Sequence, residues 1–301
     1  MKNFSVKNGF GIGAIILAVA AIIALPLRTI QFFTVLEGGT GFFNESNFSV
    51  YLLYFILAAA GIAFLVLGIA KRKKTSYFNE AKKQPVFGIF SLVASAGAFS
   101  DGIMCAFKVM ENYTPFIDYD YLGNPSANTE KILFCIEAVL AVLTAIFFLA
   151  VAVSALTGKT NGSEHKLISL APVLWCVIRM VFRFTRTISY LKVSDLTFEL
   201  IMLVFATMFF MAFAQVNSQV GGKNCEWKLA GYGLTAVLFA LVCFVPRFIV
   251  TIVGMSDLLY SYSPAEFCDL AIALFIIATV FTKLTDRVEQ TNSPIESSVK
   301  E

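Results

Sequence analysis

Apolar runs long enough to cross a bilayer fill most of this chain, and a few ionisable residues lie inside or beside them. Gly11–Leu25, Val50–Ala70 and Leu229–Val245 contain no Asp, Glu, Lys or Arg. A helix needs about 20 apolar residues to span a hydrocarbon core of roughly 30 Å. Within that core a backbone must satisfy its own hydrogen bonds, as a helix does. The runs therefore constrain the chain to an all-α, polytopic integral membrane bundle. Composition agrees: 58% of residues are hydrophobic and 14% charged, against about 45–50% and 25% in soluble domains.

Eight transmembrane helices are expected, over residues 9–35, 50–70, 85–110, 131–156, 167–191, 195–217, 229–255 and 264–284. Residues 1–284 then form a single transmembrane domain, and 285–301 a polar cytoplasmic tail expected to be disordered. Lys2 and Lys7 before the first run resemble the start of a secretory signal, but the run exceeds the roughly 7–15 apolar residues of a cleavable one. It is read as a retained first helix. Short connections predict four antiparallel hairpins. Lys and Arg collect in alternate loops, most densely at Lys71, Arg72, Lys73, Lys74, Lys82 and Lys83, whereas the stretch after the third helix carries Glu111, Asp118, Asp120 and Glu130. By the positive-inside rule both termini are cytoplasmic, and the cell membrane is the expected location.

The sequence hints at a tandem hairpin repeat. Odd-numbered helices carry a basic residue in their outer half or near their middle (Arg28, Lys108, Arg179, Arg247), and three even-numbered ones carry an acid near their outer end (Glu137, Glu199, Asp269). Val177-Ile178-Arg179 parallels Val245-Pro246-Arg247, while Arg186-Thr187-Ile188 parallels Arg28-Thr29-Ile30 in a competing register. At about 1.5 Å per residue, Arg179 lies near the midplane and the other belt charges lie about 6–10 Å outward. Asp101 sits nearer the centre.

Ionisable residues at such depth are costly and mark functional candidates. Arg179, Arg183 and Arg186 are spaced four and three apart, which puts them on one helical face. That face should turn inward, where guanidinium forks meet carboxylates or phosphates. The leading expectation is a small transporter or solute-binding membrane component with an outward-facing anion site. Arg179, Arg183, Arg186, Arg247 and Arg28 would contact solute. Glu137, Glu199, Asp269 and Asp101 would pair with those arginines or take up a coupling proton. The rival is a non-transporting scaffold, sensor or accessory subunit whose belt is a structural ion-pair network. Four belt arginines set against three belt acids slightly favour the anion site.

Other chemistry is not indicated. The single His165 lies in a polar loop, so His-based metal or haem sites have no ligands. The six cysteines occur singly, without CxxC spacing, and read as small hydrophobes. A bridge between Cys105 and Cys135, which flank one loop, is the disfavoured exception. No phosphate loop, dinucleotide fingerprint or intramembrane protease motif is present. The expectation is no enzyme, no cofactor and no metal. A net charge of +3, spread over short loops, gives no footing for nucleic acid. The partners expected are the lipid bilayer and a small anionic solute. Pro26 and Pro246 precede outer arginines and are read as tolerated kinks. Ser91, Ser95, Gly97, Ser100 and Gly102 give the third helix a small face suited to close packing.

Overall fold

A computed structural model describes residues 6–36, 48–70, 83–110, 127–158, 167–185, 193–218, 226–255, 259 and 266–283. The helices are α1 (Val6–Thr34), α2 (Phe48–Ala70), α3 (Pro85–Met110), α4 (Ala127–Thr157), α5 (Ala171–Thr185), α6 (Val193–Asn217), α7 (Glu226–Ile252) and α8 (Phe267–Ala278). No β-strand occurs among the described residues. Six of these helices, α1–α4, α6 and α7, are long and apolar enough to cross a membrane.

The remaining two are described only in part, to Thr185 and Lys283, short of the ends of the expected spans. α5 covers 15 residues behind a 3-10 turn at Ile168–Leu170, so its α-helical part is about 22 Å long. α8 covers 12 residues and runs on into a π-helical turn at Thr279–Lys283. Among the described residues, the ion pairs centre on α5 and the start of α8.

α7 is the axis of the bundle. Two-thirds of its span (67%) is buried, against 28% for α1, because it packs on α1, α2, α6 and α8. α3 lies between α4 and α8, and α5 links α4 to α6. Each consecutive pair, α1–α2, α3–α4, α5–α6 and α7–α8, is also in contact.

Lipid-facing surfaces are continuous. On α2, Phe55, Ile62, Val66 and Ile69 are all more than half exposed and share one helical face. An aqueous surface would not tolerate that stripe, whereas acyl chains solvate it.

Phe, which could serve as lipid-facing material, is also used inside. The Phe275 ring lies 4.8 Å from that of Phe148, and 5.5 Å from those of Phe87 and Phe213. Phe209 and Phe210 complete this aromatic core, which joins α3, α4, α6 and α8. Rings suit this interior because the water-expelling drive is weak in lipid and dense packing must hold helices together.

The small face of α3 does what its composition implies. A Cβ on Gly97 would stand 2.5 Å from Ala271 Cβ of α8, and one on Gly102 would stand 3.3 Å from the Ala138 carbonyl of α4. Ser95 Oγ donates to the Ala145 carbonyl across the α3–α4 contact at 2.8 Å. α1 and α7 continue as helices through Pro26 and Pro246.

Candidate functional site, a buried ion-pair network

Arg179 is the hub. One turn before it on the same face is Trp175, whose ring lies 5.2 Å from the Arg179 Cζ. Both side chains are completely buried. Arg179 Nη2 donates to Asp269 Oδ1 at 2.9 Å and to Glu266. Its Nε faces Glu137 Oε1 at 3.9 Å, an ion pair beyond hydrogen-bond range. Among the described residues, Arg179 Nε and Nη1 have no hydrogen-bond partner.

From this hub the pairs run on in a chain. Arg183 Nη2 donates to Glu266 Oε2 at 2.9 Å, and its Nε to Glu199 Oε2 at 2.7 Å. Arg247 Nη1 donates to the other oxygen of Glu199. The order Asp269–Arg179–Glu266–Arg183–Glu199–Arg247 thus ties α5, α6, α7 and the start of α8 together. Glu137 adds α4. Asp101 adds α3 through a 2.8 Å bond donated by Trp175 Nε1.

The spacing argument for α5 holds for two of its three residues: Arg179 and Arg183 share one face and one carboxylate, Glu266. Arg186 lies outside the described residues, as do most of the outer loop after α3 and the tail at 285–301. Arg28 is buried as well. Its Nη1 donates to Gln31 Oε1 at 3.0 Å, Gln31 Nε2 donates to the Ser49 carbonyl of α2 at 2.9 Å, and the Phe32 and Phe198 rings lie 4.8 and 5.3 Å from its Cζ.

Glu266 was missed in the count of belt acids, although it stands at the centre of the network. It immediately precedes α8, one turn before Asp269, where a carboxylate is favoured by the positive end of the helix dipole. With Glu266 and Asp101 included, the carboxylates at the cluster outnumber Arg179, Arg183 and Arg247. Among the described residues the cluster therefore carries no positive surplus. Cys105 and Cys135 are both free.

An all-helical bundle with six apolar helices of spanning length, lipid-type surfaces and a polar network enclosed within it defines a multi-pass membrane protein. The chain matches no protein-family model, no curated protein and no solved structure.

Proposed function

We propose that the protein is a small transporter or solute-binding component of the cell membrane, with Arg179, Arg183 and Arg247 as the groups that meet an anionic solute. In this reading α5 and α8 belong to the membrane domain as the fifth and eighth members of four hairpins, and both termini are cytoplasmic. The observation that carries it is the incomplete satisfaction of Arg179. A closed structural network has no use for two buried guanidinium nitrogens without acceptors, and each such donor costs about 1–3 kcal/mol. A carboxylate or phosphate oxygen would satisfy them. Glu266 and Asp269 then act as internal stand-ins that occupy the fork when solute is absent, and a displaced carboxylate takes up a proton.

The rival reading, a non-transporting scaffold or accessory subunit, draws support from Glu199, which clasps Arg183 of α5 and Arg247 of α7 at once. A thermal-stability screen of purified protein against inorganic phosphate, sulfate and short mono- and dicarboxylates separates the two. The transporter reading expects saturable stabilisation by at least one anion, since a ligand of the folded state must raise its stability. It also expects Arg179→Gln to abolish that response. No response across the panel, together with strong coupling between Arg183 and Glu199 in a double-mutant cycle, favours the scaffold.

A further inference from the structure

We propose that Asp101, Cys105 and Glu137 form a site for a thiophilic divalent cation of the zinc type, at the α3–α4 contact beside Arg179. The two α3 residues are four apart and so share a helical face. Glu137 reaches them from α4 because the helices touch one residue away on each: bare Gly102, next to Asp101, lies against Ala138, next to Glu137. One oxygen of each carboxylate and the Cys105 Sγ lie within 4.8 Å of one another. Ligand atoms around a tetrahedral zinc ion stand about 3.5 Å apart. Side-chain rotation through roughly 1 Å would therefore close the triad.

A cluster of carboxylates alone would be weak ground. A further observation points to a ligand here. Glu137, only 4% exposed, takes part in no hydrogen bond among the described residues. Its nearest guanidinium nitrogen, Arg179 Nε, stands 3.9 Å off, beyond hydrogen-bond range. Two carboxylates this close in a low-dielectric interior repel each other unless a proton or a cation lies between them. The donor set selects the ion: a thiolate with two carboxylates suits zinc-type metals rather than Mg²⁺ or Ca²⁺, which take oxygen ligands.

Support around the triad matches what metal sites use. Trp175 Nε1 orients Asp101 from behind, as groups outside a metal's ligand set do. Asp101 is only part-buried, which leaves a side for the ion and a fourth ligand such as water. Binding converts the Cys105 thiol to thiolate, forms the sulfur–metal bond and releases one proton. Two carboxylates and a thiolate around a divalent ion carry a net charge of −1, which Arg179 faces. Lys108 is the other nearby cation, with its Nζ over the Phe134 ring at 5.4 Å. A second triad, Asp101, Glu266 and Cys268, shares Asp101 but uses a carboxylate already bound to two arginines. The site does not depend on whether those arginines meet a solute.

The test uses full-length protein purified in detergent, with Co²⁺ as spectroscopic probe and Zn²⁺ as competitor. Expected are a saturable thiolate-to-cobalt charge-transfer band of one ion per chain, its displacement by Zn²⁺, and its loss in Cys105→Ser. Glu137→Gln should weaken Co²⁺ binding on the order of tenfold or more. Cys268→Ser and Cys135→Ser should leave the band unchanged. Should Cys105→Ser not fold, the unmutated protein still decides: Zn²⁺ must protect Cys105 from a small alkylating reagent, mapped by mass spectrometry. A band absent from the unmutated protein, a band that follows Cys268, or unchanged Cys105 alkylation under Zn²⁺ overturns the proposal.

Discussion

Replacing Glu199 by Gln strikes the one carboxylate that joins two arginines from different helices. Arg183 Nε donates to one oxygen at 2.7 Å and Arg247 Nη1 to the other. At a charge separation near 4 Å and an effective dielectric of 20, each attraction is about 4 kcal/mol. Removing the charge also relieves the carboxylate's own desolvation, which costs several kcal/mol, and the amide keeps one acceptor. The net expectation is the usual loss for breaking a buried pair, about 3–5 kcal/mol. For a chain of this size that corresponds to a fall of roughly 6–10 °C in Tm. Thermal unfolding in detergent, followed by a thiol-reactive dye that reports the buried Cys105, Cys176, Cys243 and Cys268, measures it. Arg183→Gln should cost a comparable amount. The double variant should recover at least about 1 kcal/mol of the sum, within the range for coupled neighbours. A Glu199→Gln protein melting within about 2 °C of the unmutated chain, or a strictly additive double variant, refutes the view that these charges are mutually neutralised.

Three further changes probe other parts of the bundle. Trp175→Phe keeps a ring beside Arg179 but removes the donor to Asp101, and should lower stability by about 1.5–3 kcal/mol, read in the same melting assay. Phe275→Ala empties the centre of the aromatic core and should cost about 3–5 kcal/mol, with faster labelling of buried thiols as a second readout. Gly97→Val drives α3 off Ala271 and should cost about 1–3 kcal/mol, seen as a lower Tm and a smaller monodisperse fraction on size exclusion. A valine tolerated at Gly97 without loss would show that α3 and α8 are not in close contact.

Much of the frame is legible in the chain, for a physical reason: where the solvent is lipid, a helix must be both apolar and long, and both properties are local. The inward turn of α5 is equally local, because the four-residue spacing of Arg179 and Arg183 sets their common face wherever the partner lies. What pairs with them is not local. Glu266 looks like any acid at a helix start until α8 is docked beside α5. The juxtaposition of Asp101, Cys105 and Glu137 depends on the register of α3 against α4, set by the absent side chain of Gly102. Arg28 shows what depth alone does not give: its guanidinium lies over aromatic rings of α1 and α6 and donates to the Gln31 amide.

The hub has a consequence for how the molecule is made. Arg179 and Asp269 are 90 residues apart, so the guanidinium leaves the ribosome long before the carboxylate that holds it. In the proposed reading, where α5 enters the membrane, each of its two arginines opposes partition from the translocon by about 2.5–3.5 kcal/mol. Until the last helix is synthesised, this segment must be sheltered by α4, by the early-arriving Glu199 or by the insertion machinery itself. Chains ending before α8 should therefore leave α5 poorly integrated and open to quality-control proteolysis.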